Sequence, residues 1–236
     1  MRKECQKFLT CDTLRAQLEM ELGWRQEELA FFKNQLNEIP EEYKDKYRKS
    51  LILILYSHLE GYIKISLQYY IQYINSQELN RKDVTIGLMV ASMDKEFLAY
   101  ENLDRKCEIF RKELPEDRKL HRIFRRVDFM EELNDFKEKK LYIDDQIIDT
   151  ESNLWFFVLQ KNLYKIGLPV DMFNDYQNDI NALVNRRNAI AHGNFKSGVI
   201  EQEFTNWESK AEDVMSGIMR IIYDYAKNRK YLNIIE

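Results

Sequence analysis

The sequence predicts an all-α protein, and two observations carry that prediction. Only 7 of the 236 residues are Gly and 3 are Pro, which is well below average usage. Apolar residues make up 44% of the chain, enough for a buried core. They recur at spacings of three, four and seven, which is typical of amphipathic helices.

Two long helices are predicted at the start of the chain. The first covers about 12–37, where leucines recur on one face. Pro40 interrupts the helical pattern, and the second helix runs from there to about residue 76. It is apolar on most sides between Leu51 and Ile74, so we expect it to be the central, most buried helix.

A highly charged region follows. A third helix is predicted over 95–114 and a fourth over 116–137, with a proline between them. The stretch 140–150 alternates loosely and predicts either a short hairpin or an irregular arm. The simplest organisation is one helical domain over 1–236 with a charged insertion at 101–150.

Three more helices are predicted in the C-terminal part. Ser152 is a suitable N-cap for a helix that ends before Gly167, the expected C′ residue. A further helix is predicted over about 171–191. The last one covers about 203–231 and carries an apolar stripe suited to packing.

Composition excludes several classes of site. Net charge is −4, so RNA binding requires a local basic patch or a dimer that concentrates one. The three cysteines (Cys5, Cys11 and Cys107) are too widely spaced for a disulfide framework or a zinc site. We therefore expect no metal and no cofactor.

Targeting signals are also not expected. The N-terminus lacks an apolar signal region, and the longest apolar run, 51–56, is too short to span a bilayer. These features predict a cytoplasmic protein without a membrane partner.

Polar side chains gather near the end of the 171–191 helix. Asn188 and His192 are four residues apart and share a helix face, where Asn188 is suited to orient the histidine. Arg187 is about 100° from Asn188 around the helix, so all three polar groups are expected on one side, and Arg187 offers a fork of donors for phosphate. The alternative is a satisfied helix end, in which His192 caps carbonyl groups and Arg187 pairs with a carboxylate.

Other cations are weaker candidates for RNA binding. Arg118, Arg122 and Arg125 fall at i, i+4 and i+7 and form one stripe, which could follow an RNA backbone or be a solvated face paired with nearby acids. Arg186 adjoins Arg187 and is a candidate phosphate contact.

The central helix offers further polar residues. Glu60 and Lys64 are spaced for an ion pair, and the alternative is that Glu60 reaches the Arg187 end. His58 is expected to be structural. The tyrosines at 69, 70 and 73 could stack bases, but core or interface packing is favoured.

Three segments resemble the HEPN superfamily. Arg187-Asn-Ala-Ile-Ala-His192 resembles its RNxxxH signature, and Leu55-Tyr-Ser-His-Leu-Glu-Gly-Tyr-Ile-Lys64 resembles a motif on the central helix of a branch of small stand-alone members. Asp149-Thr-Glu-Ser-Asn-Leu154 is similar to a segment of the same branch. Members of that branch occur in bacterial toxin–antitoxin and phage-defence settings.

The resemblance implies an HEPN-like helical bundle that dimerises and cleaves RNA without a metal. Arg187 and His192 would be catalytic, with Glu60 as a supporting residue. The implied partners are RNA, a second copy of the chain, and a cognate antitoxin or regulatory protein. Some members bind nucleotides or proteins without cutting, and a purely structural helical dimer is a third hypothesis.

The residue types suit RNA cleavage. RNA supplies its own nucleophile, the 2′-OH, so the protein must provide a base, an acid and a cation for the developing phosphorane charge. A histidine can act as acid or base near neutral pH. One chain has only one such histidine, whereas a two-fold dimer supplies two histidines and two arginines.

Overall fold

The computed structural model of the chain describes residues 8–233. Within this range the regular structure consists of eight α-helices and several short 3₁₀ turns, with no β-strand. The helices are α1 (Cys11–Asn34), α2 (Glu41–Ser76), α3 (Ile86–Ala91), α4 (Asp94–Glu101), α5 (Arg118–Glu138), α6 (Phe156–Lys165), α7 (Gln177–Ala191) and α8 (Glu201–Lys227). The predicted all-α fold class is confirmed.

The core is built around α2. Its buried residues lie on most sides of the helix because α1, α7 and α8 all pack against it. The other two long helices each contribute one apolar stripe: Leu14, Leu18, Leu22 and Leu29 from α1, and Val214, Met215, Ile218 and Ile222 from α8. Burial of such a side chain stabilises the fold by roughly 1.5–3 kcal/mol, so this three-helix contact is a main source of stability.

Ionic contacts tie α4 and α5 to the residues that follow α2. Arg81 is buried, and its Nη1 lies 2.9 Å from Oε1 of Glu96. Lys139 Nζ lies 3.1 Å from the same oxygen. Burial opposes ionisation of Glu96, yet the hydrogen bonds from both cations hold the pKa of this carboxyl below its ordinary value. The description of 101–150 as an insertion within one domain remains a prediction.

The predicted third helix is too long. It ends at Glu101 rather than near residue 114, because Asn102 Oδ1 accepts a hydrogen bond from the amide of Asp104 at 3.0 Å and starts a turn. Beyond the turn, Leu103 and Ile109 are more than three-quarters exposed. No apolar face is therefore available to hold a helix there, and α5 begins only after Asp117 caps it.

The segment 140–150 is an irregular arm and not a hairpin. Its only regular element is a 3₁₀ turn over Asp145–Ile147. The side-chain amide of Asn75 on α2 donates to the carbonyl oxygen of Ile143 at 2.8 Å and accepts from its backbone amide at 2.9 Å. Leu141 donates to the carbonyl of Leu79. These hydrogen bonds satisfy backbone groups that a second strand would otherwise pair with, so the segment does not need a hairpin partner.

The predicted N-cap at Ser152 is wrong. Ser152 has φ +67°, and α6 begins at Phe156, whose amide donates to Oδ1 of Asn181 on α7 at 3.0 Å. The cap thus comes from another helix. The C′ assignment of Gly167 is confirmed by its φ of +72°.

The remaining boundaries differ by a few residues. α1 ends at Asn34 and continues as a 3₁₀ turn to Asn37, α7 begins at Gln177 after a similar turn, and α8 ends at Lys227. Cys11 and Cys107 are free thiols, and Cys5 lies outside the described residues. No helix in 8–233 is long and apolar enough to cross a membrane.

Candidate functional site

Helix α7 carries the candidate site at its C-terminal end. Ile180, Leu183 and Val184 are buried where α7 packs against α2. Arg187 follows Leu183 by four residues, so it continues the same face. The helix period therefore directs this charged side chain onto the middle of α2.

Arg187 lies over an aromatic ring. Its Cζ is 4.2 Å from the ring centroid of Tyr56 on α2, a cation–π distance. Its Nη2 donates weakly, at 3.4 Å, to the carbonyl oxygen of Ser152. About a quarter (23%) of the Arg187 side chain remains exposed, so the guanidinium is accessible to a ligand.

Two polar side chains complete the surroundings of Arg187. Asn188 Oδ1 accepts a hydrogen bond from Arg187 Nη1 at 2.8 Å. The side-chain oxygen of Asn188 is thus bound to the arginine, and its predicted role in orienting His192 stays a prediction. Glu60 Oε2 lies 3.7 Å from Arg187 Nη2, so Glu60 faces the Arg187 end of the molecule.

His192 is exposed at the C-cap of α7. The helix ends in a Schellman motif: the amide of Gly193 donates to Ile190 and that of Asn194 to Ala189, at 3.1 and 2.8 Å. Gly193 has φ +72°, a conformation that favours glycine. This sharp end leaves the imidazole at the surface.

Arg187 and His192 do not point the same way. Five helical residues correspond to a rotation of about 140° and a rise of about 7.5 Å. Arg187 accordingly packs towards α2, whereas His192 is solvent-exposed. One chain therefore carries the two groups on different sides of α7 and not as a hydrogen-bonded pair.

Arg186 is held by contacts with its own chain, although its side chain is as exposed (24%) as that of Arg187. Its guanidinium forms an ion pair with Glu203 on α8, and its Cζ lies 4.0 Å from the ring centroid of Phe195 and 5.3 Å from that of Trp207. These contacts fasten the loop after α7 to α8. The role of Arg186 as a phosphate contact stays a prediction, and a phosphate there would compete with the ion pair to Glu203.

The predicted arginine stripe on α5 is divided. Arg125 is buried, and its Nη1 donates to the carbonyl of Arg105 at 3.2 Å; this structural contact argues against its predicted role in RNA binding. Arg122 is exposed and remains a candidate. However, α5 packs against α4 and the 3₁₀ turn at Arg81–Asp83, while α7 packs against α2, α6 and α8. The helix that carries Arg122 and the helix that carries Arg187 therefore pack against different elements.

Tyr56 is the residue at this site that the sequence analysis did not single out. It precedes Glu60 by four residues on α2, and this spacing is the signal that could have found it. Of the other aromatic and histidine candidates on α2, Tyr70 and Tyr73 are buried in the core, and His58 packs edge-on against Trp24. Tyr69 is half-buried, and its hydroxyl donates to Oε1 of Glu21 at 3.2 Å.

Residues 8–233 contain no group of three or more His, Cys, Asp or Glu side chains arranged to hold a metal ion. A family model described as HEPN_MAE_28990-like HEPN matches residues 14–231. This match spans nearly the whole chain and includes α2, the 149–154 turn and α7. The comparison with curated proteins and the comparison with solved structures gave no match.

Proposed function

The chain belongs to the HEPN superfamily, whose domains are often ribonucleases, and we propose that this member is a metal-independent endoribonuclease. The observation that carries the proposal is the end of α7. There, Arg187 contacts three side chains and one carbonyl, and an exposed histidine, His192, follows five residues later.

In the proposed reaction, the 2′-OH of the RNA attacks the adjacent phosphorus. His192 of one chain removes the 2′ proton, and the 5′-oxygen leaves with a proton from the second His192 of a two-fold dimer. Arg187 donates to the non-bridging oxygens as negative charge develops on them. The products are a 2′,3′-cyclic phosphate and a 5′-hydroxyl.

The geometry of one chain supports the composite site. Because Arg187 and His192 are rotated about 140° apart on α7, a phosphate held by Arg187 is more readily reached by a histidine from another chain. We propose a homodimer for this reason. A role as a toxin or antiviral defence effector, restrained by a cognate antitoxin or regulator, extends the same proposal.

A non-catalytic module that binds nucleotides or proteins is the second candidate. The observation that favours it is the carboxylate of Glu60, 3.7 Å from Arg187 Nη2. This pairing partly neutralises the cation, so a ligand phosphate must compete with Glu60. On this hypothesis RNA or a nucleotide binds at Arg187, but no bond is broken.

The test is RNA cleavage in the presence of EDTA by wild type, Arg187→Ala and His192→Ala. We expect wild type to produce cyclic-phosphate ends, and each variant to be slower by about 10²-fold or more, since each removes a group that acts in the transition state. Arg220→Ala is the matched control. Arg220 is an exposed arginine near the C-terminal end of α8, the opposite end from Glu203, so we expect this variant to cleave RNA normally.

Two results contradict the nuclease proposal. One is intact RNA after incubation with wild type, and the other is equal cleavage by wild type and both variants, which indicates a contaminant. Binding of RNA to wild type and its loss in Arg187→Ala would then favour the second candidate. Growth arrest on expression that His192→Ala relieves would support the toxin role.

A further inference from the structure

Tyr56 connects Arg187 to a turn that is distant in sequence. Only 2% of Tyr56 is exposed, and its ring lies under the Arg187 guanidinium. Its hydroxyl accepts a hydrogen bond from the backbone amide of Leu154 at 2.8 Å. One buried side chain therefore contacts both the candidate catalytic arginine and the segment before α6.

The turn that Tyr56 holds has an unusual backbone. Glu151 and Ser152 are consecutive residues with φ of +50° and +67°, a left-handed conformation that residues other than glycine rarely adopt. Nearby contacts maintain it: Asp149 Oδ1 accepts from the amide of Glu151 at 2.8 Å, and Asn162, fully buried on α6, bonds both backbone groups of Asp149.

The turn and Tyr56 enclose Arg187 from different directions. The carbonyl of Ser152 accepts from Nη2, Asn188 accepts from Nη1, and the Tyr56 ring covers one face of the guanidinium. An arginine has five N–H donors, and these hydrogen bonds use two. The orientation of the group is thus fixed while donors remain for a phosphate.

We propose that Tyr56 is a positioning residue, which fixes the direction of the Arg187 guanidinium through its ring and fixes the Thr150–Leu154 turn through its hydroxyl. The proposal rests on the nuclease function proposed above. Tyr56 acts as a neutral ring: burial raises the pKa of its hydroxyl above the ordinary value, so no phenolate forms near neutral pH.

Positioning should act on turnover more than on RNA binding. Phosphate attraction tolerates small movements of a cation, whereas stabilisation of the transition state requires donors at the developing charge. A displacement of about 1 Å in such a group can cost about 10²-fold in rate. We therefore expect loss of Tyr56 to lower kcat while KM changes little.

The test compares Tyr56→Leu with Tyr56→Phe. Tyr56→Leu removes the ring and the hydroxyl, and we expect kcat to fall about 10²-fold. Tyr56→Phe keeps the ring under Arg187 and removes only the bond to Leu154, so we expect a fall of about two- to tenfold. It also keeps the test available if Tyr56→Leu does not fold.

Tyr70→Phe is the matched control. Tyr70 is a fully buried tyrosine about four turns further along α2, and its hydroxyl has no hydrogen-bond partner within the described residues. This variant should cleave RNA like wild type. Unchanged kcat in Tyr56→Leu, or losses in Tyr56→Phe and Tyr70→Phe of the same size, would overturn the proposal.

A second measurement separates this proposal from the nuclease function. The Nε–Hε signal of Arg187 in isotope-labelled protein, identified by its absence from Arg187→Lys, reports the order of the guanidinium without any RNA. We expect an ordered signal in wild type and a motionally averaged one in Tyr56→Leu. Equal order in both contradicts positioning by Tyr56, whether or not wild type cuts RNA.

Discussion

Arg186 and Arg187 are sequence neighbours whose guanidinium groups meet different surroundings. They are about 100° apart on α7, so Arg187 reaches α2 and Arg186 reaches α8. Glu203 and two aromatic rings contact Arg186, whereas Arg187 has one close ring and a more distant carboxylate. The direct ion pair compensates the charge of Arg186, so Arg187 is the better suited of the two to meet an external anion.

His58 gives a prediction about stability and pH. Burial lowers the pKa of His58 from its ordinary value of 6.5, despite the carboxylate of Glu28 3.1 Å from its Nε2, and Arg25 adds to the lowering. The unfolded chain thus takes up this proton more readily than the folded chain. We expect the His58 contribution to the free energy of unfolding to be fully present above pH 6.5. It should be lost as the pH falls through the pKa of His58 in the folded protein.

Urea denaturation between about pH 8 and about pH 5 checks this expectation. The measured quantity is the free energy of unfolding of wild type minus that of His58→Gln, whose side chain does not titrate. This difference should decrease towards acid pH. A difference that stays constant, or increases, would show that the folded protein holds the His58 proton at least as well as the unfolded chain.

Replacement by alanine should have opposite effects on stability at two helical glycines. Both Gly23 in α1 and Gly217 in α8 are helical. A Cβ at Gly23 meets no atom within 4 Å, whereas one at Gly217 would lie 2.7 Å from Cε1 of the buried Phe173. Gly23→Ala should stabilise by up to about 1 kcal/mol, and Gly217→Ala should destabilise by about 1–3 kcal/mol.

Thermal and urea unfolding of the two variants measure both signs. The contact with Phe173 is isolated by the double variant Gly217→Ala/Phe173→Leu. It should be more stable than the sum of the two single changes predicts, because the smaller side chain relieves the clash. Additive losses would mean that Gly217 is needed for another reason.

The sequence predicted helices best where an apolar stripe is long. The bounds of α2 follow from its hydrophobic run and the preceding Pro40. Errors arose where a single side chain bonds the backbone: Asn102 ends α4 early, and Asn181 sets the start of α6 from another helix. Such bonds join residues that no local periodicity relates, so patterns within one segment cannot reveal them.

The candidate site joins three parts of the chain. α2 supplies Tyr56 and Glu60, the Thr150–Leu154 turn supplies a carbonyl, and α7 supplies Arg187 and His192. Sequence spacing indicated the residues on α7, and one of its two interpretations of Glu60 was that this side chain reaches the Arg187 end. The four-residue spacing places Tyr56 on the same face of α2 as Glu60, but its contact with Arg187 depends on how two helices more than a hundred residues apart pack together.

The proposed composite site leads to a prediction about mixed dimers. Arg187→Ala and His192→Ala should each be nearly inactive alone. When the two are unfolded and refolded together in equal amounts, about half of the dimers should contain one chain of each kind. Such a dimer keeps one Arg187 and one His192, on different chains. It restores an arginine but only one of the two histidines of the proposed reaction, so we expect RNA cleavage above the sum of the separate activities but well below that of wild type.

Each variant refolded with itself is the control, and native mass spectrometry shows whether mixed dimers form. If mixed dimers form and cleavage does not rise, one phosphate needs more than one intact Arg187 and one intact His192, or each chain uses only its own pair. Full activity in a wild-type protein that sediments as a monomer would contradict a shared site altogether. A rise that follows the fraction of mixed dimers would instead place the arginine and the histidine of one reaction on different chains, as their rotation on α7 favours.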